Sequence, residues 1–244
     1  MYIAFIKLIK YILCSTCIFA ATASAAIIQW ADWQSGTANE VIGEFVTTTS
    51  TVNITYTNPQ GYAFLQTGTG FDYFHGFEDV TRSPYTSAFV ENIPTAAEMI
   101  ALRYAGYQTL TFSETVANPV FSYVSLNGNG YAFDQDFEIL SFGDGVDNLR
   151  GHWGAGTSYK DVVDIGGGVM EYRLLGTGEP HGTIRFTGAF DSVTWQSSSN
   201  ENWNGFTVGI QGTAKEVFDV PEPSTLAIFS LAVMGLVTRR VKNK

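Results

Sequence analysis

The sequence predicts an all-β fold, an antiparallel β-sandwich of the jelly-roll kind, for residues 26–219. Short segments alternate between polar and apolar residues with a period of two, which is the pattern of half-buried antiparallel strands. Glycine, asparagine, aspartate and serine separate these segments where turns are needed. About a dozen such strands with little helical periodicity favour two stacked sheets over a mixed fold.

Five segments carry the alternation. In residues 51–56 every second side chain, from Val52 to Tyr56, is apolar. The pattern recurs in residues 131–139, 182–188, 191–196 and 203–211. In such strands the apolar face turns toward the core. The side chains expected there include Phe186, Trp195 and Phe206.

Other segments depart from the alternation. Pro119–Leu126 is apolar on both faces and predicts a central strand, whereas Thr95–Arg103 favours a helix or turn. Three turn signals, Asn127–Gly130, Asp144–Gly145 and Gly188–Asp191, predict the closures of hairpins.

Residues 1–25 are laid out as a secretory signal. A basic start precedes an apolar stretch over residues 11–20, and the small residues Ala23 and Ala25 form a cleavage site. The secretion machinery is therefore an expected partner, and cleavage would leave Ala26 as the first mature residue.

The mature domain, residues 26–219, would contain no thiol, because Cys14 and Cys17 both lie in the signal. Removing the six basic residues and the one acid of the terminal segments leaves a net charge of about −15. Such a charge argues against binding to nucleic acid or other polyanions. It leaves cation binding open.

The segment 220–244 begins with an extended peptide. Pro221 and Pro223 lack a backbone N–H, and each disfavours helix in the residue before it. Val220 and Glu222 are therefore expected in an exposed strand-like segment that an enzyme can bind without unfolding the domain.

An apolar run and a basic tip follow. Thr225–Val237 carries no charge, and as a helix it would be roughly 20 Å long against a hydrocarbon core of ~30 Å. Thinning of the bilayer and snorkelling of Arg239 and Arg240 would compensate for a short transmembrane helix. These basic residues place the tip in the cytoplasm and the domain outside.

This order of elements resembles the PEP-CTERM sorting signal of exported bacterial proteins. The resemblance implies that a membrane protease, exosortase, acts at the Pro-Glu-Pro segment. It also implies a precursor held transiently in the inner membrane, and then a protein at an exopolysaccharide-rich cell surface or outside the cell. The body, including Trp30–Trp33, Gly178–Gly188 and Glu201–Gly209, resembles exported PEP-CTERM proteins with an uncharacterised β-rich domain. That likeness implies no activity.

The sequence contains no recognised catalytic motif. A glycoside hydrolase needs two facing carboxylates, and the sequence does not choose between Glu138, Glu171, Glu179 and Glu201. His181 follows Glu179 by two residues. We expect it to begin a strand and to bond a loop carbonyl rather than to form a catalytic dyad.

Calcium is the one cofactor that the sequence suggests. Asp134 and Asp136 are two residues apart, and Asp144 and Asp147 follow in the next loop. Carboxylates from a strand and a loop suit a hard cation. The alternative is an acidic, solvated strand face beside an ordinary turn, which would leave the domain without a cofactor.

Tryptophan provides a candidate glycan contact. Trp153 lies in a glycine-rich loop, where its indole could stack on a sugar ring, whereas the alternation places Trp195 in the core. Trp33 and Trp203 fit either role.

Three functions follow from these features. The first is a non-catalytic protein of the cell surface or extracellular matrix, sorted through residues 220–244. The second is a carbohydrate-binding module for exopolysaccharide, and the third is a glycan-active hydrolase.

Overall fold

A computed structural model describes residues 26–75, 83–95, 97–145 and 153–219 of the chain. Within them it is built almost entirely of β-strands in two antiparallel sheets. The predicted signal peptide 1–25 and the tail 220–244 lie outside the described residues. Among those that are described, no helix has both the length and the apolar character needed to cross a membrane.

Sixteen strands and one short helix are defined in the described part of the chain. They are β1 (Gln29–Trp30), β2 (Asp32–Gly36), β3 (Glu40–Val46), β4 (Thr51–Thr57), β5 (Phe64–Thr67), β6 (Glu98–Leu102), β7 (Gly106–Ala117), β8 (Val120–Val124), β9 (Tyr131–Phe133), β10 (Glu138–Phe142), β11 (Gly156–Asp164), β12 (Met170–Gly178), β13 (Gly182–Arg185), β14 (Ala189–Ser197), β15 (Asn204–Ile210), β16 (Gly212–Thr213) and α1 (Ala214–Phe218).

The strands form a seven-stranded and a nine-stranded sheet. The order of the first is β10-β13-β8-β15-β6-β5, with β1 also paired to β15. The order of the second is β11-β12-β9-β14-β7-β4-β3-β2, with β16 paired to β7. Consecutive strands from β6 to β9, and from β12 to β15, alternate between the two sheets.

This alternation changes the role of the predicted turns. Asn127–Gly130 connects β8 to β9, and Gly188–Asp191 leads from β13 into β14. In each case the two strands belong to different sheets, so the prediction that these turns close hairpins is wrong. Asp144–Gly145 follows β10, and β11, the next strand, also lies in the other sheet. Gly128 and Gly188 have positive φ, which is why glycine occurs there.

The core lies between the sheets and is rich in aromatic rings. Trp195 of the nine-stranded sheet meets Phe121 at 5.1 Å and Phe206 at 5.3 Å between ring centroids, both edge-on. Tyr56 of β4, Val193 of β14 and Phe186, which follows β13, are buried in the same cluster, so the alternation predicted the inward faces of β4 and β14 correctly. Edge-to-face contacts of this kind add to the free energy of burial.

The seven-stranded sheet is also covered on its outer face. β6, β8 and β15 are buried at every position, which confirms the central strand predicted at Pro119–Leu126. The alternation in residues 203–211 had predicted a polar outer face. Instead, the side chains of Ile28 and Trp30 lie over Gly209, and that of Met99 lies over Gly205. Apolar side chains from other segments therefore pack on the glycines of β15.

Two segments differ from their predicted structure. Glu98–Leu102 is the buried strand β6, so the helix or turn expected over Thr95–Arg103 is wrong; an apolar run buried on both faces has no period that separates strand from helix. Residues 131–139 contain β9, a connection and the start of β10, and these two strands lie in different sheets. The alternation survives because both sheets face one core, where Phe133 meets Phe137 at 5.4 Å.

One buried carboxyl links the two sheets. Glu98 of β6 accepts a hydrogen bond of 2.8 Å from the backbone N–H of Trp33 in β2. Burial raises the pKa of Glu98 to about 7, although this hydrogen bond lowers it, and Asp32 raises it further. The carboxyl is therefore protonated in the folded state over a pH range in which an unfolded glutamate is ionised.

The aromatic contact between the sheets predicts how substitutions at Trp195 change stability. Replacing Trp195 with alanine should reduce the free energy of unfolding by about 3–5 kcal/mol, because a fully buried indole leaves a cavity. Urea denaturation of the 26–219 fragment measures this loss. Trp195→Phe keeps a ring at the contact and should cost less, and Tyr159→Ala, at an exposed position, should cost little. Equal losses in all three variants would contradict the packing described.

Candidate functional site

Three chain segments meet at one end of the sandwich. β8 ends at Val124, β13 begins at Gly182 and β15 begins at Asn204, and their antiparallel register brings these positions together. The adjoining segments, 125–130, 179–181 and 198–203, form what is here called the loop end. These segments are far apart in sequence, and they come together only because of how the strands pair.

Glu179 organises the hydrogen bonds of the loop end. Its carboxylate accepts bonds from Ser125 Oγ at 2.8 Å and from Asn127 Nδ2 at 2.5 Å. Ser125 has a φ of 52°, in the left-handed region that serine rarely adopts. His181 is fully buried, and its Nδ1 donates to the backbone carbonyl of Glu179 at 2.7 Å. It directly precedes β13, so its predicted structural role is confirmed.

Glu201 lies beside this network in a less polar setting. Burial raises the pKa of its carboxyl to about 7, the Asn204 side chain partly offsets this, and the nearby charge of Glu179 raises it further. Tyr131, the first residue of β9 directly after the loop end, is fully buried and donates its hydroxyl hydrogen to Asn204 Oδ1. Two carboxyl groups in unlike surroundings therefore lie within electrostatic range of each other.

The remaining candidate carboxylates lie in ion pairs elsewhere. Glu138 contacts Arg185 and Glu171 contacts Arg173, each with an N–O distance of 2.7 Å. Each pair is partly exposed to solvent, where such contacts contribute little to stability. Only Glu179 and Glu201, of the four residues that the sequence could not rank, are brought together.

Trp153 lies in an aromatic cluster on the outer face of the seven-stranded sheet. Its ring stacks on Tyr73 at 5.7 Å, and Trp203 meets both rings edge-on at 5.5 Å and 5.1 Å. Phe64 contacts Trp203 at 5.2 Å. The indole N–H of Trp153 donates to the backbone oxygen of Tyr73 at 3.2 Å.

The aromatic cluster has both structural and binding potential. Its rings are half-buried and pack on the core formed by Met99 and Val124. A half-buried indole that is fixed by its neighbours can present an edge or face to a sugar at low entropic cost. By contrast Trp30, Trp33 and Trp195 are buried and belong to the packing of the sandwich.

The predicted calcium ligands are only partly described. Asp134 and Asp136 lie on the crossing between β9 and β10, and Asp136 bonds to Lys160 Nζ at 2.8 Å. Burial raises the pKa of Asp134 despite a backbone hydrogen bond. Asp147 is outside the described residues, and those that are described contain no cluster of three metal-ligating side chains. Calcium at these residues and Asp144 stays a prediction, which a calcium titration of the purified domain tests.

The C-terminal helix carries a clamp that the sequence analysis missed. Thr213 caps α1 in a capping box: its Oγ1 accepts from the backbone N–H of Glu216, and one carboxylate oxygen of Glu216 accepts from the backbone N–H of Thr213. The other oxygen of Glu216 accepts bonds from Thr47 and Thr49 in the β3–β4 turn. Although desolvation opposes them, these bonds lower the pKa of Glu216 to about 2. The Thr-x-x-Glu spacing was the sequence signal that could have revealed the clamp.

The clamp ends directly before the sorting segment. The residues proposed for sorting, Val220, Pro221, Glu222, Pro223, Arg239 and Arg240, lie outside the described residues, as do Ala23 and Ala25 of the signal. α1 ends at Phe218, and Asp219 caps it. The folded part of the chain thus continues to the residue before Val220.

Residues 219–241 match the family described as PEP-CTERM protein-sorting motif. No curated protein and no solved structure matches the chain. The chain therefore carries a PEP-CTERM signal, of the kind that exosortase recognises, on a β-rich domain.

The two raised pKa values predict how stability depends on pH. Between about pH 4.5 and 7, folded Glu98 and Glu201 hold protons that the unfolded chain releases. The free energy of unfolding should therefore fall as pH rises through this window, by up to about 1.4 kcal/mol per pH unit for each group. Urea denaturation at several pH values measures the slope.

Glutamine substitution isolates each contribution. Glu98→Gln and Glu201→Gln should each flatten the fall, and the double variant should flatten it most. A full wild-type slope in all three variants would show that neither carboxyl retains its proton on folding.

Proposed function

We propose that this is a non-catalytic protein of the cell surface or extracellular matrix, exported and then processed at its C-terminal signal. The match to the sorting motif at residues 219–241 carries the proposal. In the precursor, Leu226–Val237 would anchor the chain in the inner membrane, with Arg239 and Arg240 on the cytoplasmic side. Exosortase would act at the Pro-Glu-Pro segment after secretion.

The position of α1 supports this order of events. The described residues up to Phe218 already form a core between the two sheets, which supports the expectation that processing after that point leaves the domain folded. The Glu216 clamp fixes the chain directly before the proline segment, which the sequence predicts to be extended. A protease would therefore meet an accessible peptide held at a defined place on a folded domain.

The strand order supports a jelly-roll for the exported domain. β6-β15-β8-β13 in one sheet face β7-β14-β9-β12 in the other, and the strands alternate between the sheets from β6 to β9 and again from β12 to β15. That interleaving is the arrangement of a double-sheet jelly-roll. Folds of this type present loops at both ends, where binding functions are commonly located.

The proposal of a non-catalytic role rests on how the candidate groups are used. Glu138 and Glu171 are paired with arginines, and His181 is buried against a carbonyl. Glu179 and Glu201 are the pair on which the hydrolase alternative depends. Release of reducing sugar from polysaccharide by the wild type, and its loss in Glu201→Gln, would establish that alternative.

A substitution in the tail tests the sorting function. Glu222→Ala, or deletion of Leu226–Lys244, should leave an unprocessed or mislocalised product, because the first removes the charged centre of the recognised peptide and the second removes its anchor. Immunoblots of membrane and extracellular fractions measure the size and location of the product. Lys215→Ala, at an exposed position on α1, serves as the control. Normal processing in both tail variants would contradict a sorting role.

A carbohydrate-binding module is the second candidate, because Trp153 lies with Tyr73 and Trp203 in the aromatic cluster. Sugar rings stack on aromatic faces through their C–H groups, and the acidic loop end provides acceptors for hydroxyl hydrogens. The charge of about −15 favours neutral polysaccharides over uronic acid polymers.

A glycan array separates the first two candidates. If the aromatic cluster binds polysaccharide, Trp153→Ala should lower the affinity of the 26–219 fragment for neutral glycans at least about tenfold, as expected for an aromatic anchor. Tyr159→Ala should leave binding unchanged, because Tyr159 is exposed on β11, away from the cluster. No binding by the wild type would exclude the module.

A further inference from the structure

The two ends of the described domain meet at one place. Ala26, Glu216 and Val217 line a single cavity of about 390 Å³, together with Thr47 and other polar residues. Ala26 and the end of α1 therefore lie at the same end of the sandwich. We call this surface, formed by residues 26–29, 46–49 and 211–219, the terminal face.

Exposed apolar residues adjoin the lining residues of this cavity along the chain. Ile27 and Val46 are each 61% exposed, and Phe218 is 51% exposed. Each of them directly adjoins, in sequence, a residue that lines the cavity. Large apolar side chains grouped on one surface mark an interaction site more often than isolated ones do.

The β11–β12 hairpin adds apolar groups at the same end of the nine-stranded sheet. Its register with β9 places Tyr172 opposite Phe133, so the hairpin tip extends away from the loop end. Ile165 and Val169 at this tip are exposed. The apolar side chains thus reach beyond the immediate surroundings of α1.

The terminal face lies opposite the loop end. β15 begins beside the loop end at Asn204 and finishes at Ile210, next to Gln211 of the cavity lining. In the nine-stranded sheet, β7 likewise runs away from the loop end and finishes at Ala117, where β16 joins it before α1. The aromatic cluster and the exit of the tail are therefore at different ends.

We propose that, in the anchored precursor, the terminal face rests on the lipid surface and the loop end points away from the membrane. This inference rests on the proposed anchoring of the tail. Only seven peptide units separate Asp219 from Leu226, the first residue of the apolar run, and they span at most about 25 Å. A tether this short keeps the terminal face near the bilayer.

The charge of the domain determines what kind of contact this is. A domain with a net charge of about −15, and with Glu216 and Asp219 on the terminal face itself, is not attracted to anionic headgroups. Ile27, Val46 and Phe218 supply instead an apolar contact at the boundary between headgroups and acyl chains. Such a contact is insensitive to salt, unlike one made by basic residues.

Depth-dependent quenching tests the orientation. The mature precursor, residues 26–244, contains no cysteine and is reconstituted into phosphatidylcholine vesicles with nitroxide-labelled headgroups. Val46→Cys or Phe218→Cys carries a fluorophore on the terminal face, and Tyr107→Cys carries it on β7 near the loop end. Tyr107 is the matched control, because it is 62% exposed. The terminal-face labels should be quenched at least about threefold more, as a contact at the headgroup boundary requires, with no change in high salt.

A second variant and a flotation assay make the result decisive. Ile27→Ser, Val46→Ser and Phe218→Ser together should lower quenching of a label at Thr48, which lines the cavity, while the thermal midpoint changes little. A chain that floats with vesicles but shows equal quenching at both ends overturns the orientation alone. Protection of the terminal face only when exosortase is added would assign it to the enzyme and overturn the lipid contact. A chain that does not float overturns the proposed anchor as well.

Discussion

The sandwich depends on the edge-on contact of Trp195 with Phe121 and Phe206. Phe121 and Phe206 stack at 4.6 Å on neighbouring strands of one sheet, and Trp195 reaches them from the other. With both cysteines confined to residues 14 and 17, the domain has no disulfide to hold the sheets together. Their spacing, and hence the placement of every loop at both ends, is set by aromatic packing. The hydrogen bond between Glu98 and Trp33 joins the sheets at a second place. The Glu98 carboxyl that accepts this bond changes its protonation with pH.

The alternation of polar and apolar residues predicted the strands that bury only one face. In those strands, successive side chains differ in their exposure to solvent, and this produces a period of two. The alternation failed where exposure did not differ between faces. β6 is buried throughout and therefore lacked a period, and residues 131–139 kept their period although the chain passes from one sheet to the other. Nor did it show that Met99 and Trp30 would cover the outer face of β15. Which sheet a strand joins is a property of long-range pairing, and a local pattern contains no information about it.

The candidate sites, too, depend on contacts between distant segments that the sequence does not reveal. Trp153 was identified from its loop, but its partners Tyr73 and Trp203 come from distant segments that only the fold brings near. The sequence did not distinguish Glu179 and Glu201 from the other two candidate glutamates. They lie close together because β13 and β15 both begin at the loop end. The sorting motif was recognised because all its elements are contiguous. A signal that an enzyme recognises as one extended peptide is a contiguous stretch of the chain, so the sequence alone can reveal it. A binding surface combines residues from distant segments, so the sequence alone need not reveal it.

The central position of β15 has a consequence for folding during export. β15 is the last long strand in the described chain, yet it lies between β8 and β6 and supplies Phe206 to the core. A chain that emerges from its N-terminus cannot complete the seven-stranded sheet until residue 210 has crossed the membrane. Pairing of this range is slow in any case, because distant segments must close on each other. The seven-stranded sheet is therefore completed only when translocation of the domain is nearly finished, just before the sorting motif at residues 219–241 follows.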